Sequence, residues 1–280
     1  VTDMVTDMAM VMATAMVTAM VTARTKRKAV TAKGRISHHS HTNHPRTCMT
    51  NKASQDYWDQ SFQGVRLAAV DSSDSIRLWI RRHILPKATG SCLEIGCYPG
   101  RYLPVFGELG YECNGVDLQK NVGAIGPWLE DMGFRTGQFW QEDFLAFEPL
   151  RQFDLVASFG FMEHFTNWKE VFEKHLRFVK DDGYLVIETP NYLGAWQHWL
   201  HSRFDKEDLD RHYIPSMDVD QWVSIVKDAG FEVVYQGYFD GFDFWVGLGE
   251  RNFFSRCCVK FLRGIRKPLV ALLPKNRKLY

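Results

Sequence analysis

Five short stretches of this 280-residue chain carry residue types able to do chemistry at points where an apolar run ends. In LEIGCYPGRYL an acid, Glu94, precedes Gly96 and Gly100. Glycines at such a turn let the backbone reverse sharply and lie close to a ligand. A carboxylate at the end of a strand suits a ligand with a cationic amine better than one with a pyrophosphate. The spacing disfavours a nicotinamide or flavin dinucleotide, because Tyr98 and Arg101 stand where G-x-G-x-x-G needs its second and third glycines. Further along come Asp117 in GVDLQ, Asp143 in WQEDFLAF, Glu163 and His164 in SFGFMEHF, and His212 with Tyr213 in RHYIPS. An imidazole or carboxylate at these places can take a proton from an acceptor hydroxyl. Each also has a simpler role. Glu94 can be an acid at a helix N-terminus, Asp117 a turn former, Asp143 a cap, and either histidine a hydrogen-bonded residue at an element boundary.

The elements that must position these residues follow from the apolar pattern. Short β-rich runs at SCLEIG (91–96), YECNGVD (111–117), FRTGQFW (134–140), FDLVASF (153–159), GYLVIET (183–189) and FEVVYQGYF (231–239) alternate with helix-length segments. Those segments are RYLPVFGELG, the stretch from Gln119 to Gly133, NWKEVFEKHLRFVKDDG and MDVDQWVSIVKDAG, the last two ending at a glycine before a strand. SSDSIRLWIRRHILP predicts an amphipathic helix ahead of the first strand. The pattern predicts a doubly wound α/β fold with six or seven mostly parallel strands, helices on both faces, and a ligand crevice at the carboxyl ends of the first strands.

Over about residues 55–245 the sequence resembles the class I S-adenosylmethionine-dependent methyltransferases. Glu94, Gly96 and Gly100 match the glycine-rich first motif that wraps the methionine part of the cofactor, with Tyr98 in place of the usual middle glycine. Asp117 matches the acid that binds both ribose hydroxyls, a task for which a carboxylate has two accepting oxygens. Asp143 falls where the family contacts the adenine amino group, with Phe144 as its apolar neighbour. The resemblance also places Cys97, Tyr98, Leu118 and Phe159 beside the cofactor, and SFGFMEHF is similar to the family's segment after the fourth strand. It implies methyl transfer from S-adenosylmethionine to a small-molecule, lipid-linked or sugar-linked acceptor, by family habit at oxygen, with His164 and His212 as candidate catalytic residues. Tyr57 and Trp58 resemble an aromatic pair that some members fold over the cofactor. The long connection from Pro190 to Ser216, rich in Trp, Tyr and His, is expected to cover the acceptor pocket. The alternative is a non-catalytic protein of the same fold that docks on membranes or proteins through its basic ends.

The ends read differently from the body. Residues 1–50 carry seven basic and two acidic side chains, residues 251–280 carry nine and none, and the segment between is left with 18 and 31. An acidic body disfavours a nucleic-acid partner. Residues 1–23 repeat a four-residue unit (VTDM, AMVM, VTAM), so disorder or a frayed helix is expected there, and a start at Met49 is one reading of the upstream part. The domain boundaries are thus an extension over 1–48, a methyltransferase domain over 49–250, and a basic amphipathic segment over 251–280 that either packs on the sheet or touches an anionic membrane. The family's final antiparallel strand has no convincing match, FDFWVGL (242–248) being its only substitute. His38, His39, His41, His44 and Cys48 lack an apolar frame to fix metal geometry, and no metal site is assigned. Six cysteines without a CxxC pair predict a reduced, cytoplasmic protein, with a membrane-peripheral position as the other reading.

Overall fold

The computed structural model describes residues 16–23, 51–148, 150–239, 257–258, 260–262 and 264–265. Its strands are β1 (Met16–Ala23), β2 (Ser91–Ile95), β3 (Glu112–Asp117), β4 (Thr136–Gln141), β5 (Phe153–Phe159), β6 (Val179–Pro190) and β7 (Phe231–Phe239). They form one seven-stranded sheet in the order β4-β3-β2-β5-β6-β1-β7. The β2–β3, β2–β5, β3–β4 and β5–β6 pairs are parallel. β1 runs antiparallel to both of its neighbours, β6 and β7.

Why these runs become central strands is visible in their burial. Every residue of β5 is buried, as a strand covered on both faces must be. The period of two sends alternate side chains to opposite layers. Cys92, Leu155, Ala157 and Val186 enter one core cluster, and Leu93, Ile95, Val156, Leu185 and Ile187 the other. Helices α1 (Gln55–Ser61) and α2 (Ser75–His83) precede the parallel strands, and α3 (Leu103–Glu108) and α4 (Ile125–Asp131) lie between them. The first cluster contains Ile76, Trp79 and Ile80 of α2, Phe106 of α3, and Ile125 and Leu129 of α4. On the other face Val171, Phe172 and Leu176 of α5 (Trp168–Arg177) pack with Val219, Trp222 and Val226 of α8 (Val219–Asp228). Between β6 and α8 the chain forms α6 (Ala195–Phe204) and α7 (Lys206–Asp210). There Tyr192, Leu209 and Met217 make a small core of their own.

Two expectations change. The helix expected to run on to Gly183 stops at Arg177, and β6 begins two residues later. Val179 must already be in the sheet core, where it is fully buried. Lys180 then turns to Asp154, its Nζ 2.8 Å from the carboxylate. The second change is at the N-terminus. Residues 16–23 are neither disordered nor helical, since they pair with β6 from Met16↔Pro190 to Thr22↔Tyr184 and with β7 from Met16↔Phe239 to Ala23↔Phe231. Half of the residues in MVTAMVTA are β-branched and none is proline, and that suffices for a strand when a partner waits on either side. This strand occupies the antiparallel position for which FDFWVGL was the expected substitute; that segment lies outside the described residues. The same is true of the His38–Cys48 stretch and of most of 251–280, where residues 257–258, 260–262 and 264–265 are helical and Phe261 is exposed. Among the described residues no helix is long and apolar enough to cross a membrane.

Deleting residues 1–23 removes both ladders at once and leaves β7 without its neighbour. The expected cost is at least about 2 kcal/mol, or ~4–8 °C in Tm for a domain of this size. Thermal unfolding of the full and shortened chains checks it; equal midpoints would mean β1 contributes nothing.

Candidate functional site

The parallel strands end on one side of the sheet, and their last residues hold most of the polar groups singled out in the sequence. β2 ends at Ile95 and turns through Gly96, at φ 70°, and Gly100, at φ 82°, with a cis peptide between Tyr98 and Pro99. The positive φ values suit glycine, and space forbids more: a Cβ on Gly96 would stand 2.6 Å from the Phe161 ring, and one on Gly100 3.2 Å from Ile125 and Trp128. Cys97 is buried, and its Sγ fills the room that Gly115 of β3 leaves by lacking a side chain. Its contribution at a ligand is therefore backbone.

Asp117, the last residue of β3, is fixed by this turn. Its Oδ2 accepts from the Tyr98 amide at 2.9 Å and its Oδ1 from the Gln119 amide at 2.8 Å. Burial pushes the carboxyl up to about 6, against the pull of those amides. Each oxygen keeps a second lone pair for a further donor. Leu118 beside it is exposed. Glu94 lies one strand inward, buried, with Oε2 lacking any hydrogen-bond partner among the described residues. Burial, reinforced by Cys113 and Asp117, raises its carboxyl well above the ordinary range. An orphaned carboxylate facing a glycine turn is what a cationic amine would complete, and Asp117 is set to take two hydroxyls. The residues present therefore fit the methionine and ribose parts of S-adenosylmethionine.

Four expected cofactor neighbours pack in the core or take part in the local fold. Phe144 is buried in the second core cluster, edge-on to Phe161 at 5.7 Å between ring centres. Phe159 packs on Tyr102 at 4.6 Å in the first cluster. Asp143 is exposed, and its Oδ1 accepts from the Leu145 amide at 2.9 Å, so one oxygen serves the local turn. Tyr98 turns its buried ring toward Phe62, 5.1 Å away and edge-on.

After β5 the chain turns through Gly160, at φ 62°, into Glu163 and His164, both buried. His212 arrives from the far end of the long connection, and the two imidazoles lie 4.7 Å apart. The His164 Nδ1 is 3.0 Å from the Arg211 carbonyl and the His212 Nδ1 2.6 Å from the Asp208 carbonyl. Each Nδ1 thus carries the proton, and each Nε2 presents its lone pair. Burial drives the His164 imidazole down to about 3 and lowers that of His212, which Asp208 partly restores. Burial likewise lifts the Glu163 carboxyl to about 8. Asp208 itself accepts from the Tyr192 hydroxyl at 2.7 Å and from Arg211 at 3.0 Å.

Helix α1 straps the two halves together. Asp59 accepts from the Gln119 side chain at 3.0 Å, and Phe62 meets Tyr98. Trp58 lies edge-on to His164 at 5.0 Å, and Arg211 sits 4.2 Å above the Tyr57 ring. The aromatic pair thus packs beside the histidines. Sequence reasoning missed Asp208 and Tyr192, which no motif marks, and also Glu188 near the end of β6. Glu188 is buried with Oε2 unpartnered among the described residues, and burial, then Glu163 and Asp74, hold its carboxyl high. A lone acid inside the apolar run GYLVIET was the available signal.

A family model for a methyltransferase domain matches residues 65–236, more than half of the chain. The chain belongs to the class I S-adenosylmethionine-dependent methyltransferases. The chain is 22% identical over 170 residues to a Geobacillus sp. (strain WCH70) protein named as a methyltransferase. The match covers 59% of the chain and 63% of that relative, so the chain spans less than two thirds of the relative's length. A Bacillus halodurans C-125 methyltransferase structure aligns with 17% identity, 57% of this chain, 70% of that one and a TM-score of 0.46. The plantazolicin methyltransferase BpumL, solved with a pentazolic desmethylPZN analog and S-adenosylhomocysteine, aligns with 16% identity, 55% of this chain, 59% of that one and a TM-score of 0.41. The strand-end residues of the chain itself carry the cofactor assignment.

Asp117→Ala removes charge-assisted acceptors, and S-adenosylhomocysteine is expected to bind about 1.5 to 3 kcal/mol more weakly by calorimetry. Unchanged affinity in a folded variant would take Asp117 out of the site. Ribose hydroxyls need the ionised carboxylate, whose pKa in the free protein lies at about 6. Affinity should therefore weaken as pH falls below that value, and Asp117→Asn should lose this inflection.

Proposed function

We propose that the protein transfers a methyl group from S-adenosylmethionine to an oxygen of a small-molecule, lipid-linked or sugar-linked acceptor. The observation that carries this reading is the pair of buried imidazoles, His164 and His212, each with Nδ1 tied to a carbonyl and Nε2 left as an acceptor. Nitrogen in an amine already has a lone pair when neutral, whereas a hydroxyl gains nucleophilicity by losing a proton, so imidazole acceptors favour oxygen.

Glu94, Gly96, Gly100 and Asp117 would hold the cofactor, which supplies a methyl already activated on a sulfonium. The protein then has to align the acceptor, exclude water and receive a proton. The acceptor O–H proton passes to His212 Nε2 as the O–C bond forms, and the C–S bond breaks with its electron pair remaining on sulfur. Asp208 sets the His212 ring through its carbonyl and, with an oxygen 3.9 Å from Nδ1, favours the imidazolium that results. The low dielectric of the buried site strengthens that interaction. The long connection that carries His212 also carries Trp196 and Trp199, stacked at 5.2 Å, and exposed Leu193, apolar surface suited to an acceptor's body.

His212→Ala is expected to lower turnover about 100-fold or more while leaving S-adenosylhomocysteine affinity unchanged. A screen of hydroxyl and amine acceptors with isotopically labelled methyl donor supplies the assay. Wild-type turnover by the variant on the identified acceptor would exclude His212, and labelling of amines alone would overturn the choice of oxygen.

A further inference from the structure

Glu163 and His164 lie 49 and 48 residues before His212, yet one ligand atom from each of the three lies within 4.8 Å of the others. All three residues are buried. With both Nδ1 atoms committed to carbonyls, the atoms that converge are two imidazole lone pairs and a carboxylate. At this spacing none of the three donates a hydrogen bond to another, and Glu163, whose raised carboxyl holds a proton in the free protein, would release it to a bound cation. The approach of His164 Nε2 to Glu163 Oε1, at 3.9 Å, is too long for a hydrogen bond. The second carboxylate oxygen, Glu163 Oε2, is buried without a partner among the described residues. Three buried ligand groups facing one point call for a cation there.

We infer that Glu163, His164 and His212 form a binding site for a divalent first-row transition ion. Two histidines and one carboxylate suit zinc, cobalt or ferrous iron and leave coordination positions open. Ligand atoms about such an ion stand roughly 3 to 3.5 Å apart, so the triad closes by about 1 Å on binding. The Arg211 and Asp208 carbonyls orient the two rings from behind, as outer partners of metal-bound histidines do. The neighbouring group His201, Asp205 and Asp208 has similar spacing, but there Asp208 is already engaged by Tyr192 and Arg211.

The site stands on these residues alone; its role rests on the proposed transfer to oxygen. With an ion bound, Glu163, His164 and His212 would hold it, and it would supply Lewis-acid polarisation of the acceptor hydroxyl in place of the proton-accepting role that His212 Nε2 has in the metal-free protein.

The test is titration of the full chain, stripped with chelator, with Zn²⁺ and Co²⁺. The expected result is about one tight equivalent per chain and visible d–d absorption from cobalt. Glu163→Gln, which keeps the side-chain shape, should weaken binding at least about tenfold with its unfolding midpoint retained, and His212→Gln should do the same. Replacing His38, His39, His41 and His44 with Ala should leave the tight equivalent intact. No binding by the folded chain, loss of the tight equivalent in the His38–His44 variant, or binding sensitive to Asp205→Asn and not to Glu163→Gln would each overturn the site. Turnover unaffected by metal removal would overturn the role. Tight metal with no methyl transfer to any hydroxyl would uphold the site and count against the function proposed above.

Discussion

A parallel sheet covered on both faces has little room for charged side chains except near its strand ends, and this constraint organises the molecule. The two ends treat their carboxylates in opposite ways. At the entry end Asp154 accepts from Lys87 at 2.5 Å, from Lys180 at 2.8 Å, and from the Ser91 amide at 2.9 Å and hydroxyl at 3.0 Å. Those partners hold its carboxyl far below the ordinary range although the residue is buried. At the exit end Glu94, Glu163 and Glu188 each bury an oxygen with no partner among the described residues. Their carboxyls are held high. A satisfied buried carboxylate belongs to the fold; an unsatisfied one costs stability until something binds it. Three at one end of one sheet mark where binding free energy is to be gained.

The exit end also shows how a weakly stable arrangement is kept in place. α1 has no buried residue of its own, so packing of the helix alone does not fix it. What fixes it is a set of tethers at both ends of the site. The Ser54 hydroxyl caps it by accepting from the Tyr57 amide, the Lys52 amide donates to the His164 carbonyl at 2.8 Å, and Asp59 takes the Gln119 side chain. One face therefore touches the Asp117 turn and the other the histidines. Tyr98, Phe62 and Trp58 form a chain of ring contacts from the turn to His164, with the first two steps at 5.1 and 5.7 Å between centres.

Much of this was legible in the residues. The first four runs, from 91 to 159, and the run at 231–239 are strands close to their expected bounds, because a buried strand needs a short apolar run between turn formers. The placement of Glu94, Gly96, Gly100 and Asp117 at a strand end and turn was legible because it is local. The directions of the Cys97, Phe144 and Phe159 side chains were not, since which way a side chain points depends on whether a partner such as Gly115 makes room for it. His164 and His212 stood out singly, but their meeting at 4.7 Å could not be read from spacing, because it depends on how the 190–216 connection folds back. The extent of β6 was misjudged for a related reason. Helical periodicity in NWKEVFEKHLRFV continues past Arg177, while Asp154 and the core claim Lys180 and Val179 for the sheet.

The N-terminal strand is the sharpest case of context outweighing composition, and it bears on the site as well as on the edge. Its ladder to β6 pairs Thr18 with Glu188 and Met16 with Pro190, so it runs to the point where the strand ends. Glu188 is in turn held from the other side, its carbonyl accepting from the Gly160 amide at 3.0 Å in the turn that leads to Glu163. Immediately after Pro190 come Asn191 and Tyr192, both buried, and Tyr192 delivers its hydroxyl to the Asp208 carboxylate behind His212. The backbone that positions the histidine cluster thus starts from a strand end clamped between β5 and β1. A repeat with no chemistry of its own can in this way set how firmly the chemical end of the sheet is held.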